Sequence, residues 1–348
     1  MKKGLLFCAL PLLALLLFQA CQPAAVELRP AFYHWQTRLV LSDAERRYLQ
    51  DLKVERLYVK FFDVDRPAEG QETRALAQLQ RRGALPPNLE IIPTIFITNR
   101  SLRGCTAPQI DSLHQRIYRK VGQLWKQLPE YELKEVQIDC DWSGQTREAY
   151  FSLLRQLRQK WRTEGVALST TIRLHQLKYP GQTGVPPADR GMLMCYNVGD
   201  VKDSTTRNSI LDNQIVQRYI EGARRYPLEL DMALPIFAWG VLYRDGQMIK
   251  LLNNLRSEQL AADERFVKSG EKQFRATKST YLKGQYLYEG DEIRCEAVTA
   301  QQLQESAELL APLVHHSPLT LSFYHLDTTT IKYYPYETLE AICKKFQD

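Results

Sequence analysis

The chain has 348 residues, 44% of them hydrophobic and 25% charged. That composition excludes intrinsic disorder, and the length suits either two domains or one barrel-sized domain. Lys and Arg number 46 against 40 Asp and Glu, a net charge of +6, too small and too dispersed for a nucleic-acid-binding face.

The first element is a targeting segment. Met1-Lys2-Lys3 is basic, and Leu5 to Phe18 follows without a charge. That run is short for a bilayer span and right for a secretory core. It ends Phe18-Gln19-Ala20-Cys21, which resembles the lipobox of bacterial lipoproteins, although Phe18 and Gln19 depart from the usual letters. The resemblance implies a signal peptide over 1–20, lipid on Cys21 and a tether over 21–28. The chain would then be held to a membrane of the bacterial cell envelope, and Gln22 is compatible with the outer membrane. A plain cleaved signal with an incidental cysteine is the alternative. Five of the seven cysteines remain after Cys8 and Cys21: Cys105, Cys140, Cys195, Cys295 and Cys343. Five is odd and no pair has CxxC spacing, so neither a disulfide framework nor a zinc site is expected.

Beyond the tether, short apolar runs alternate with amphipathic stretches. Strands are predicted at 32–35, 56–63, 91–98, 135–141, 167–174, 192–198, 231–239 and 319–326. Most are nearly continuous in hydrophobicity, as strands covered on both faces should be. Ser42-Asp43-Ala44-Glu45 is a capping box opening a helix through Leu52. Ile110, Leu113, Ile117, Val121, Leu124 and Leu128 form one helical stripe. Tyr150, Leu153, Leu154, Leu157 and Trp161 form another, and Ile215, Val216, Tyr219 and Ile220 a third. Eight strands alternating with helices predict an α/β fold, a (β/α)8 TIM barrel over 29–348. An open doubly wound sheet is the runner-up, but no glycine-rich turn follows the first strand. An insertion is expected at about 245–316, between strands 7 and 8. It would hold a helix over Met248–Ala261, a hairpin turning at Glu289-Gly290-Asp291, and a helix over Thr299–Leu313.

The most informative segment is Gln137-Ile138-Asp139-Cys140-Asp141-Trp142-Ser143 on the fourth strand. Side chains alternate along a strand, so Gln137, Asp139 and Asp141 share a face opposite Ile138 and Cys140. The apolar face belongs against helices, which turns the carboxylates into the barrel, about 6.6 Å apart along the strand. The C-terminal end of barrel strands carries active sites. Two close carboxylates between low-dielectric walls raise one pKa, as acid/base chemistry requires. The same pattern also suits a buried structural Asp139 and an Asp141 that caps the next helix.

Ile138-Asp139-Cys140-Asp141-Trp142 resembles the D-x-x-D-x-D-x-E fourth-strand motif of glycoside hydrolase family 18, the chitinase-like barrels. Asp139 and Asp141 match the second and third acids, Val136 replaces the first, and Ser143 stands where the final Glu belongs. Met194-Cys195-Tyr196-Asn197 resembles that family's M-x-Y-D, and Leu234 to Gly240 its L-P-F/Y-Y-G run. Gln137 to Asp141 also resembles the Q-I/L-D-x-D motif of a family of exported bacterial proteins of unknown function with glycosidase-like barrels. In the chitinase-like family the Glu protonates the glycosidic oxygen, the Asp before it orients the acetamido group and the Tyr steadies the intermediate. The resemblance thus implies catalytic roles for Asp141 and Tyr196, and it leaves the proton donor open because Ser143 cannot act as one. Asp141 is the first candidate acid, with Asp139 raising its pKa; Asp63, Asp65 and Asp327 are further carboxylates at strand ends.

Aromatic residues at strand ends suit the apolar faces of sugars. Trp35, Asp63, Arg173, Asn197, Trp239 and Tyr324 are therefore the expected substrate-binding set. Arg173 and His175 are expected inward on the fifth strand, where Arg173 would alternatively hold Asp139 by a salt bridge. His34 and His325 flank barrel strands and are candidates to titrate near neutrality. No HxxxH, HExxH, P-loop or GxSxG occurs, so no metal and no cofactor are expected. The expected partner is a glycan, either hydrolysed or, given Ser143, bound without cleavage.

Overall fold

The computed structural model describes residues 26–67, 73–223 and 225–347. The proposed signal peptide, Cys21 and most of the tether lie outside them. Eight parallel strands form the core: β1 (Leu28–His34), β2 (Arg56–Asp65), β3 (Glu90–Ile97), β4 (Glu135–Asp139), β5 (Ala167–Arg173), β6 (Arg190–Met194), β7 (Leu230–Pro235) and β8 (Leu319–Tyr324). Each pairs with the next, and β1 pairs with both β8 and β2. The sheet is therefore a closed barrel with no free edge, as a (β/α)8 fold requires.

Helices α1 (Asp43–Asp51), α2 (Ala107–Trp125), α3 (Arg147–Arg162), α4 (Asn213–Ile220), α5 (Ala300–Leu310) and α6 (Tyr336–Lys344) belong to the outer layer. Local sequence explains their starts. Ser42 Oγ accepts from the Glu45 amide at 3.2 Å, and the Glu45 carboxylate accepts from the Ser42 amide at 2.8 Å. The two bonds satisfy donors that a helix N-terminus otherwise leaves bare. On α2 the stripe Ile110, Leu113, Ile117, Val121 and Leu124 is buried throughout. Among the described residues no helix is long and apolar enough to cross a membrane. All five described cysteines are free, and all but Cys105 are buried.

The insertion differs from its sequence reading in two places. Residues 248–253 are not helical: Ala238–Arg244 and Gln247–Asn253 form a hairpin, and only Ser257–Ala261 is a helix. Asp245 and Gly246 both adopt positive φ (49° and 75°), the Asp-Gly turn that matches strand twist. The second hairpin turns at Lys283-Gly284, pairing Thr280–Leu282 with Gln285–Leu287, and not at Glu289-Gly290-Asp291. Glu292–Ala297 instead joins a five-stranded antiparallel sheet beside Ala238–Arg244. Consequently β7 ends at Pro235, and Trp239 belongs to the insertion.

The N-terminal floor of the barrel is polar but paired. Arg56 reaches Glu135 at 2.7 Å, Glu90 at 2.9 Å and Thr320 at 2.9 Å. Arg56 and Glu135 are both largely buried. Losing one member of a buried pair strands the other charge. Arg56→Ala is expected to cost about 3–5 kcal/mol of folding free energy, read as a lower urea midpoint with the denaturant slope unchanged.

Candidate functional site

Strand register assembles the site. Lys60, Thr94 and Gln137 pair across β2, β3 and β4, and Asp63, Phe96 and Asp139 pair on the rung above. Lys60 and Asp63 are three apart, so strict alternation would put them on opposite faces. A bulge between Lys60 and Phe62 inserts one residue into β2 and brings both inside. Lys60 Nζ then lies 3.2 Å from Asp63 Oδ2. Across the barrel, the Tyr33 hydroxyl donates to Gln137 Oε1 at 2.7 Å, which fixes the inward face of β4.

Asp139 sits just below the mouth and is 6% exposed. The Thr171 hydroxyl donates to its Oδ1 at 2.7 Å. Burial pushes its pKa up from 3.8 to about 6. The Arg173 guanidinium opposes that rise, while the charge of Asp141 and, more weakly, that of Asp63 add to it. Asp141 lies past the end of β4, half-exposed. Arg173 grips it with two parallel bonds, Nε to Oδ1 and Nη2 to Oδ2. A carboxylate held in this way is an acceptor on both oxygens. Asp139 is the carboxyl of this pair that burial shifts towards neutrality.

Ser143 supplies no acid. Its amide donates to Thr146 Oγ1 at 3.0 Å, and its carbonyl accepts from the amides of Thr146 and Arg147. It shapes the turn into α3, whose N-cap is Thr146. Asp141 therefore does not cap that helix.

Aromatic rings build the wall around the mouth. Tyr324 is central, with ring centroids 5.6 Å from Tyr33, 5.6 Å from Trp35, 5.1 Å from Tyr196 and 5.7 Å from Phe237. Arg173 lies 5.6 Å from the Tyr196 centroid, a cation–π contact that steadies both. Beside this wall opens a cleft of about 300 Å3, bordered by Asp141, Arg173, His175, Tyr196, Asn197 and Tyr219. Asp139 does not border it. Asn197 takes a left-handed backbone, φ 54°, which Asn tolerates better than other non-glycine residues.

No protein-family model and no curated protein matches the chain. Solved structures do. The spore cortex-lytic enzyme SleL of Bacillus cereus aligns with 94% of this chain and 76% of its own, at 14% identity and a TM-score of 0.51. The Group IV chitinase of Ostrinia furnacalis aligns with 92% of this chain and all of its own, at 10% identity and a TM-score of 0.55. Its complex with allosamidin aligns with 93% of this chain at 11% identity and a TM-score of 0.54, again over 100% of its length. The barrel is chitinase-like in fold.

The chitinase-like barrel brings Trp35, Asp63, Asp139, Asp141, Arg173, Tyr196, Asn197 and Tyr324 to one end, and other candidates fall elsewhere. Trp239 is half-buried on the insertion, its ring 5.1 Å from Phe237 and its indole N–H given to Glu296 at 2.8 Å. His175 is not on β5, which ends at Arg173. It is exposed on the short helix Leu174–Lys178, at the rim of the cleft. Arg173 binds Asp141 and not Asp139. Asp65 is locked by Arg100 and Thr98, and these bonds hold its pKa near 2. Asp327 caps the helix Thr328–Ile331 and accepts from Gln36 at 2.8 Å. Burial lowers the pKa of both His34 and His325, that of His34 to about 4, away from the neutrality expected of them. Among the described residues no cluster of three or more His, Cys, Asp or Glu could hold a metal.

Lys60 and Phe237 are functional neighbours that the sequence reading did not single out. Lys60 Nζ lies 5.8 Å from the Trp35 centroid. Its signal was the alternation Arg56-x-Tyr58-x-Lys60 on β2.

The raised Asp139 pKa makes stability depend on pH. The fold favours the neutral form, so this contribution is whole below pH 3.8 and is lost as pH rises through about 6. The loss is on the order of 3 kcal/mol. Asp139→Asn keeps the acceptor for Thr171 and removes the charge. The variant is expected to melt above the parent at pH 7–8 and to converge with it towards pH 4 in scanning calorimetry.

Proposed function

We propose that this chain binds a glycan containing N-acetylated amino sugars in the cleft beside Asp141, Arg173 and Tyr196. It would do so without the glutamate acid of the enzymes it resembles. The carrying observation is the Asp141–Arg173 pair at the rim of a cleft bordered by Tyr196 and Tyr219, with Ser143 at the position of the acid in the motif it resembles. Rings offer faces to sugar C–H groups, and the ion pair offers both acceptors and donors to hydroxyl and acetamido groups. Each candidate carboxyl of the mouth is engaged or set back from the cleft, Asp63 by its ion pair with Lys60. Asp139 lies beneath the cleft, Asp141 is bound to Arg173, and Asp65 and Asp327 are spent on structure.

A second reading, hydrolysis, draws on Asp139 itself, whose pKa of about 6 suits a general acid. It needs the Arg173–Asp141 pair to move so that the glycosidic oxygen reaches Asp139. For location, we read Cys21 as a lipid attachment point, with the basic start and uncharged run of residues 1–20 as support. The barrel would then sit at the bacterial cell envelope, on the outer membrane.

Calorimetry with chitooligosaccharides tests the primary reading beside a reducing-end assay from pH 5 to 8. Binding without new reducing ends is expected, and Asp141→Asn should weaken it roughly ten-fold through the loss of charge-assisted bonds. Reducing ends that appear with the parent chain and vanish in Asp139→Asn would instead establish hydrolysis. Absence of binding at millimolar sugar would sink both readings.

A further inference from the structure

We propose that the insertion carries a second glycan-contacting surface, a tyrosine platform on the hairpin Thr280–Leu282/Gln285–Leu287, that holds a polymeric saccharide beside the mouth. The inference rests on the reading of the barrel as glycan-directed and extends it to a site outside the cleft.

The hairpin has two unlike faces. Tyr281 pairs directly with Tyr286, and Tyr288 follows Tyr286 by two residues, so the three rings share a face. Leu287 lies on the other face and is fully buried in the small core of the insertion, with Leu282 packed beside it. A ribbon of this kind normally turns polar side chains to water. Here the outward face is aromatic: Tyr281 is 67% exposed, Tyr288 52% and Tyr286 38%. An exposed cluster of large rings marks an interaction site.

The rings are held in place. Tyr281 and Tyr286 meet edge to face at 5.0 Å, as do Tyr286 and Tyr288 at 5.1 Å. Arg244 stands 4.2 Å from the Tyr288 centroid and is itself fixed by two bonds to Asp291, each 2.8 Å. Rigid rings lose little freedom when they bind.

Position and charge select the partner. The hairpin turn at Lys283 borders a small cavity with Arg256, Thr329, Thr330, Lys332 and Tyr333. Thr329 and Thr330 lie on the short helix Thr328–Ile331 in the segment after β8, so the hairpin turn sits beside the connection that leaves the C-terminal end of that strand. Tyr333, 42% exposed and capped by Arg256 at 3.8 Å, borders the same cavity and adds an exposed ring beside the turn. A lipid-inserting hairpin would lead with an apolar tip, and this one leads with Lys283-Gly284. Phenol rings bordered by cations and amides fit pyranose units, which offer apolar C–H faces ringed by hydroxyls.

The test is adsorption of the purified chain to insoluble chitin and to peptidoglycan sacculi. The Tyr281→Ala/Tyr288→Ala pair is expected to lower retention roughly ten-fold, while the matching Phe pair stays within about two-fold of the parent. Melting temperature and oligosaccharide affinity in the cleft should not change in either pair. Adsorption to neither polymer, equal retention of the parent and the Ala pair, or an equal loss in the Phe pair would each overturn the platform. If chitooligosaccharides fail to bind the cleft while retention still depends on the rings, the cleft reading falls and the platform stands.

Discussion

The site depends on how the barrel tolerates a carboxyl group almost out of reach of water. Desolvation pushes the Asp139 pKa up, because burial penalises the charged form. Arg173 restrains that tendency from the rung above, and the Thr171 hydroxyl stabilises the anion from the side. Yet Arg173 spends its two parallel bonds on Asp141. The three side chains therefore form one electrostatic unit: a cation between two acids, with the outer acid paired and the inner one left near its titration point. Loss of Arg173 would push the Asp139 pKa further up, and loss of the Asp141 charge would bring it down.

That unit stands on a layered interior. Arg56 bridges Glu90 and Glu135 at the floor. Tyr33 and Gln137 close the layer above by a bond across the lumen. The β2 bulge then breaks alternation so that Lys60 and Asp63 both face inward, and Tyr324 draws the aromatic wall together at the top. Each layer pairs most of its charged groups, which is how so polar a lumen remains compatible with folding. The pairing is incomplete at both ends: Asp63 Oδ1 and Arg173 Nη1 at the mouth, and Arg56 Nε at the floor, are buried without a hydrogen-bond partner.

Much of the scaffold was legible because its signals are local or strictly periodic. The capping box at Ser42, the α2 stripe and the alternation Gln137, Asp139, Asp141 each follow from a spacing rule, and the structure places them accordingly. What escaped depends on geometry that periodicity does not carry. One extra residue in β2 hid the pairing of Lys60 with Asp63. The Asp245-Gly246 turn made a hairpin where apolar spacing suggested a helix, because a helical reading of Met248 to Ala261 ignores the positive φ that the turn imposes. The partner of Arg173 was also hidden. Asp139 and Asp141 differ by one rung, and only the end of β5 at Arg173 decides which of them the guanidinium reaches.

The absence of an acid at Ser143 and the presence of Arg173 on Asp141 make chemical sense together. In the chitinase-like pattern the residue at the place of Asp141 serves the acetamido group and works beside a glutamate. Without a proton donor at position 143, nothing requires that carboxylate to stay free for a reaction cycle. A bidentate guanidinium can then fix it, at the cost of mobility and with a gain in pre-organised donors and acceptors facing the cleft. A rigid, charge-balanced rim suits repeated binding of an unchanged ligand better than proton transfer, which needs a group free to gain and lose its proton at the reacting bond. The carboxyl whose pKa is raised, Asp139, lies one rung deeper and does not border the cleft.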